Sequence, residues 1–163
     1  FAEKLQDHVF DNLLPEELAC IFSCFSNVSI PINQRMVEPK GISNNIRNII
    51  LSIESSYNTF NQINIDYNIY GETENNMHFE LCETILKWCH ATNEKECIEI
   101  LEEIKKRGIF IGEFVKTILK INCIAHELEK ICELQNNMNL LHTLKKIPTM
   151  ILKSIAENQS LYV

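Results

Sequence analysis

Two lysines, Lys116 and Lys120, have the spacing that most directly suggests chemistry. They are four positions apart within a long helical pattern, so they are neighbours on one helix surface. Paired ammonium groups are typical of a site for anions such as the phosphates of a nucleic acid, which lysines contact without reading base sequence. Asn122, Cys123 and His126 continue the stripe, which is either a phosphate-binding surface or an ordinary solvated helix face.

Other groupings of reactive residues carry less information. Cys20 and Cys24 are one helical turn apart and could hold zinc, but no second pair of cysteines or histidines has matching spacing. Cys89 and His90 are adjacent, yet no third group completes a nucleophile–base site. The motifs of phosphate-binding loops, serine hydrolases and zinc peptidases do not occur in the sequence. The sequence therefore indicates no active site and no bound metal within this chain.

The composition is that of one globular domain. The chain has 163 residues, 45% of them hydrophobic, which suits a single domain over residues 1–163. No apolar run approaches the roughly 18–20 residues that a bilayer requires, so no membrane contact is expected. The seven cysteines are an odd number without a secretory signal. We therefore expect reduced thiols in a cytoplasmic or nuclear protein that is not secreted.

Charge is distributed unevenly along the chain. The formal net charge is −7, which by itself disfavours a nucleic-acid partner. The segment from Lys105 to Lys153, however, contains nine lysines and arginines and four glutamates. The rest of the chain has six basic and eighteen acidic residues. Lys116 and Lys120 lie in this net-basic segment, which is compatible with a local path for an anionic ligand.

The element that must position the two lysines is a helix predicted from Gly112 to Leu134. Six apolar residues recur there at steps of four and three and define one face: Phe114, Ile118, Ile121, Ala125, Leu128 and Cys132. A second apolar row widens that face: Val115, Leu119, Ile124 and Ile131. We therefore expect the helix to lie deep in a bundle and to expose only a narrow polar stripe.

Periodicity predicts about seven helices and no sheet. The helices other than the central one are expected at residues 1–12, 15–25, 43–62, 77–89, 93–107 and 140–155. Ser43 and Asn93 are suitable caps, Gly108 is a stop signal, and Pro148 should kink or break the last helix. Residues 63–71 alternate polar and apolar side chains and indicate an extended connection. The predicted fold is an all-α bundle around the long central helix.

Three segments in order resemble a known family: residues 12–25, 112–130 and 151–163. They resemble the DSHCT domain, the C-terminal helical domain of superkiller and exosome-cofactor DExH-box RNA helicases. Trp88, followed nine residues later by Cys97, also fits the family pattern. The similarity covers essentially the whole chain. It implies a C-terminal fragment of a larger helicase whose motor domains are absent here, so that ATP and Mg²⁺ would be bound, and ATP hydrolysed, elsewhere in the protein.

The resemblance also implies a task for the central helix. In that family a long ratchet helix lines the channel through which single-stranded RNA is drawn during 3′-to-5′ unwinding, and the domain packs against two motor domains. By resemblance, Gly112 opens this helix, and Lys116 and Lys120 fall at its basic positions. Cys123 lies where the family often has an acidic residue, with Asn122 beside it. The implied partners are single-stranded RNA, the motor domains and an RNA-processing complex.

The chain departs from the family pattern in three places. Leu14 replaces a serine before the first helix, Cys123 replaces the acidic residue, and Pro148 interrupts the final helix. Together with the high content of isoleucine and asparagine, these departures indicate a divergent, viral member. The alternative interpretation is a helical protein–protein interaction module that binds its partner through the acidic part of the chain and does not contact RNA.

Overall fold

The computed structural model describes residues 9–26, 42–66 and 78–157, and describes side chains in 9–26, 42–55 and 78–151. These ranges contain six helices and no strand, which confirms the predicted all-α class. The helices are α1 Pro15–Ser23, α2 Asn44–Asp66, α3 Cys82–His90, α4 Glu94–Lys106, α5 Ile111–Gln135 and α6 Met138–Glu157. The helix predicted at residues 1–12 lies mostly outside the described part, and residues 9–12 form a turn.

Local sequence signals set the starts of α1 and α2. Pro15 occupies the first position of α1, where its missing N–H costs nothing. Leu14 cannot cap with its side chain, but its N–H donates to the Glu17 carboxylate at 2.9 Å. At α2, the Ile46 N–H donates to Ser43 Oγ at 3.3 Å. The predicted cap at Ser43 is confirmed. At α1 only one of the two hydrogen bonds of a capping box is present, the one from the Leu14 N–H to the Glu17 side chain.

The ends of α4 and α5 also follow their sequences. The Glu96 N–H donates to Asn93 Oδ1 at 2.9 Å, which confirms the predicted cap of α4. Gly108 follows α4 with a φ of 77°, and Asn136 follows α5 with a φ of 56°. Glycine and asparagine tolerate this left-handed conformation better than other residues. The chain can therefore reverse between consecutive helices in short connections.

Two predicted segments were wrong in part. The helix expected at residues 77–89 begins at Cys82, because the His78 N–H donates to the Cys24 carbonyl at 3.0 Å and residues 78–81 are buried outside a helix. Residues 63–66 belong to α2 rather than to an extended connection, and residues 67–71 lie outside the described part. In both places the backbone conformation differs from the one that the spacing of apolar residues predicts: residues 78–81 are not helical, and residues 63–66 are.

Pro148 lies inside α6, which continues to Glu157 without a break. The predicted break is therefore wrong, and the alternative, a kink at Pro148, stays a prediction. The apolar face of α6 is buried as its periodicity predicts, in the members whose side chains are described: Leu140, Leu141, Leu144, Ile147 and Ile151. Burial of this face stabilises the helix by packing, which offsets the hydrogen bond that proline cannot donate.

The core forms where α1, α3, α5 and α6 meet. α5 packs along α6 and against α1, and α1 packs against α3. Trp88 of α3 meets Phe114 of α5 edge to face, with ring centroids 5.1 Å apart, and both side chains are fully buried. The prediction that Trp88 anchors the core is confirmed. This pair ties the first turn of α5 to α3.

Burial along α5 agrees with one of its two predicted rows. All six residues of the first row, from Phe114 to Cys132, are buried. In the second row Ile124 is buried, Val115 and Ile131 are half-buried, and Leu119 is 55% exposed. The expectation that α5 exposes only a narrow polar stripe is therefore wrong, because the described elements cover α5 on one side and leave a broad face open.

Candidate nucleic-acid interface

Six residues of α5 repeat at steps of four and three on its open side and are all exposed: Gly112, Lys116, Leu119, Cys123, His126 and Lys130. We call them the exposed ridge. This spacing keeps residues on one side of a helix, so the ridge runs along the face turned away from the buried row. With a rise of 1.5 Å per residue, it extends for about 27 Å. A ligand could follow it along most of the helix.

The two lysines predicted to bind anions are both accessible. Lys116 Nζ lies 3.4 Å from Glu113 Oε1, and the Lys116 side chain is 66% exposed. The Glu113 side chain is 15% exposed, but the lysine end of the pair is in solvent, so the pair contributes about 1 kcal/mol or less and an incoming phosphate can compete with the carboxylate. Lys120 is exposed beside the ridge and forms no ion pair with a described residue.

The predicted site residues do not all share one surface. Gly112, Lys116 and Cys123 lie on the exposed ridge and Lys120 borders it. Asn122 is half-buried at the edge of the core, because each residue turns the helix by about 100°. Its side-chain oxygen and nitrogen are buried without a hydrogen-bond partner among the described residues. The structure thus brings four of the five residues together and separates Asn122 from them.

No contact within the described part of the chain requires a glycine at position 112. A Cβ atom at this position would meet no atom within 4 Å. The residue is inside the first turn of α5, and its φ is not among the positive values. Glycine in a helix costs about 1 kcal/mol relative to alanine. The position therefore has room for another molecule to approach the backbone closely.

Periodicity did not identify two exposed apolar residues near this surface. Leu119 lies on the ridge between Lys116 and Cys123, although its spacing matched a buried row. Phe110 precedes α5 as its N-cap residue and is 77% exposed. An apolar residue in a helical pattern is buried only if another element covers it, and sequence spacing does not show which side is covered. No sequence signal could have found either residue.

The charge of the segment from Lys105 to Lys153 is not concentrated on α5. Within Ile111–Gln135 there are three lysines and four glutamates, so this helix is slightly acidic. The surplus comes from the end of α4, with Lys105, Lys106 and Arg107, and from α6 with its three lysines. The basic character of the ridge thus depends on Lys116 and Lys130, with Lys120 beside it, rather than on a general positive field.

A buried polar cluster stands beneath α5, and sequence reasoning missed it. Ser26 Oγ lies 3.0 Å from His78 Nε2, and His78 Nδ1 lies 3.5 Å from Glu80 Oε2. These are the residue types of a hydrolytic triad, but Ser26 is 1% exposed and its hydroxyl also donates to the Ser23 carbonyl at 2.9 Å. A substrate cannot reach it. Ser26 Oγ also lies 3.1 Å from Thr117 Oγ1, so the cluster fixes α5 against the end of α1.

Three buried thiols converge where α1 meets α3. The sulfur atoms of Cys24 and Cys82 are 3.1 Å apart, and Cys20 Sγ donates to the Cys82 carbonyl at 3.4 Å. Burial, and to a smaller extent hydrogen bonding to Cys82, raises the pKa of Cys24. Hydrogen bonds from Cys20 and Cys24 lower the pKa of Cys82. The described residues contain no group arranged to hold a metal ion. Being buried, these thiols are part of the core rather than a reactive site.

No helix among the described residues is long and apolar enough to cross a membrane.

Comparison with known families agrees with this architecture. A family model described as the DSHCT (NUC185) domain matches residues 1–158, a range that includes all six helices. No individual curated protein matches the chain. The DSHCT domain is a C-terminal domain of DExH-box RNA helicases of the superkiller type. Because the match covers nearly the entire sequence, the chain belongs to the DSHCT domain family.

Proposed function

We propose that this chain is the C-terminal accessory domain of an ATP-dependent 3′-to-5′ RNA helicase, in which it braces the motor domains and guides single-stranded RNA along α5. The observation that carries the proposal is the exposure of Lys116 and Lys120 on the longest of the described helices in a DSHCT-family chain. Each lysine would contact a phosphate and add about 0.7 unit to the salt slope of single-strand binding, without base specificity.

The packing of α5 supports a guiding role. Phe114 and Thr117 fix the buried side of its first two turns, through Trp88 and through the Ser26 cluster. The lysines on the open side therefore belong to a helix whose backbone is held in place by packing, so it should resist displacement when RNA moves across it. Cys123 adds a neutral group to the ridge, so no carboxylate repels phosphates at that position. ATP and Mg²⁺ would act in the motor domains, not in this domain.

The test is a double charge reversal, Lys116→Glu with Lys120→Glu, in the full protein. We expect weaker unwinding, a salt slope of RNA binding lower by about 1.4 units, and unchanged thermal unfolding. Lys105→Glu with Lys106→Glu is the matched control, since it changes the net charge equally at exposed positions on α4. If the α5 variant unwinds RNA normally, or if the α4 variant is equally impaired, the guiding role of α5 is wrong.

A second candidate function is a protein-interaction module without RNA contact. The observation that favours it is the set of large apolar side chains exposed on or beside α5: Phe110, Leu119, Leu134 and Met138. Such residues suit a protein surface better than a phosphate backbone. Crosslinking of single-stranded RNA to α5 at increasing salt separates the two. Crosslinks at low salt that fade as salt rises support the RNA guide, and their absence at low salt supports the module.

A further inference from the structure

A cavity of about 270 Å³ lies between the turn that precedes α1 and the start of α6. Its polar lining consists of Asp11, Asn12, Asn137, Asn139 and Thr143. Amide side chains both donate and accept hydrogen bonds, and a carboxylate accepts about four. The lining is thus suited to a flat polar group with donors and acceptors on its edge. This cavity is separate from the exposed ridge, none of whose residues line it.

Two polar groups of this cavity are already oriented by the chain. Asn137 Oδ1 accepts a hydrogen bond from the Leu140 N–H at 3.4 Å, which leaves Nδ2 as its donating group. Thr143 Oγ1 donates to the Asn139 carbonyl at 3.1 Å, so the hydroxyl oxygen is an acceptor for a ligand. Asp11 also lines the cavity, with its Oδ1 atom buried. This combination complements a nucleobase with an exocyclic amino group, such as adenine or cytosine.

A basic surface continues from the cavity along α6. Lys146 follows Asn139 and Thr143 at steps of four and three, which places the three residues on one side of the helix. Lys146 is exposed and forms no ion pair with a described residue. Residues 138–156 contain three lysines and no acidic residue, in a chain whose net charge is −7. An anion near the cavity would therefore find Lys146 without a competing carboxylate on α6.

We propose that this cavity and Lys146 form a second nucleotide-binding site, which holds the base of one RNA nucleotide in the cavity and its phosphate at Lys146. The proposal rests on the proposed function only in taking RNA as the ligand, because its residues and surface are different. An acidic peptide fits less well, since Asp11 would repel its carboxylates, whereas the amino group of a base can donate to Thr143 Oγ1. The site would contact the RNA strand near the turn between α5 and α6.

The test compares Lys146→Glu with Lys145→Glu in the full protein. Lys145 has the same charge and is also exposed, but the helix turns it by about 100° away from the cavity. We measure binding of a fluorescein-labelled oligoadenylate and of an abasic oligonucleotide of equal length. Loss of one charge-assisted contact should weaken oligoadenylate binding about tenfold in Lys146→Glu and much less in Lys145→Glu. Asn139→Ala should weaken binding of oligoadenylate and leave binding of the abasic strand unchanged.

Each result decides the matter. Equal losses in Lys146→Glu and Lys145→Glu would show general electrostatic attraction and overturn the proposal, as would wild-type affinity in Lys146→Glu. A lower affinity of Asn139→Ala for both ligands would overturn the base contact. If the double reversal on α5 abolishes binding while Lys146→Glu does not, the proposed function stands and this site fails. If Lys146→Glu alone lowers affinity, this site stands and the guiding role of α5 fails. Circular dichroism verifies that every variant is folded.

Discussion

Replacing Phe114 or Leu119 by alanine tests which side of α5 the fold covers. Both residues belong to apolar rows of the same helix, and their spacing alone predicts burial of both. In the structure Phe114 is fully buried against Trp88, whereas Leu119 is 55% exposed on the ridge. The two substitutions should therefore differ strongly in their effect on the free energy of unfolding.

The expected difference follows from burial. Phe114→Ala removes a fully buried ring and leaves a cavity, which costs about 3–5 kcal/mol. Loss of its edge-to-face contact with Trp88 contributes about 0.5–1.5 kcal/mol of interaction beyond buried area, within that range. Leu119→Ala removes a side chain that is already half in water, so its cost should be about 1 kcal/mol or less, and alanine favours the helix slightly.

Urea unfolding followed by circular dichroism at the helical signal measures both values. A Phe114→Leu variant helps if Phe114→Ala does not fold, since it keeps most of the apolar volume and should still lose more stability than Leu119→Ala. Equal destabilisation by Phe114→Ala and Leu119→Ala would mean that α5 is covered on both sides. The exposed ridge, and with it the proposed RNA path, would then not exist.

Two further predictions concern glycines and thiols. Gly108→Ala should destabilise the protein by about 1 kcal/mol because φ is 77° there, whereas Gly112→Ala should stabilise it by up to about 1 kcal/mol because its Cβ meets no atom. Urea unfolding gives both signs, and lower RNA affinity in the more stable Gly112→Ala protein would indicate close approach of RNA at that backbone. Iodoacetamide followed by mass spectrometry should label exposed Cys123 in the native protein, and buried Cys24 and Cys82 only after denaturation; rapid native labelling of Cys24 would contradict the buried thiol cluster.

Helix existence was the most predictable property of this chain. Apolar residues at helical spacing located α1, α2, α4, α5 and α6, and the caps at Ser43 and Asn93 and the stop at Gly108 were identified because they act within a few residues. The start of α3 was misplaced, because a tertiary hydrogen bond from His78 to Cys24 holds the preceding segment outside a helix. The break at Pro148 was misjudged because packing of α6 is not visible in local sequence.

The candidate site was predictable only as a stripe of residue types. Lys116 and Lys120 were recognised from their spacing, and both are exposed as a binding surface requires. Asn122 was assigned to the same stripe, but one residue of helix rotation places it at the edge of the core. The cluster around Ser26, the third thiol at Cys82 and the cavity at the start of α6 could not be predicted, because each joins residues far apart in the chain.

The amino-acid sequence by itself determined the helical class, the family and the identity of the anion-binding candidates. These properties depend on short-range periodicity, on capping residues and on the order of family segments, all of which are written along the chain. The tertiary structure alone decided which side of α5 is open and which polar groups share a cavity. Those properties depend on which elements cover one another, and a linear pattern cannot specify a neighbour that is distant in sequence.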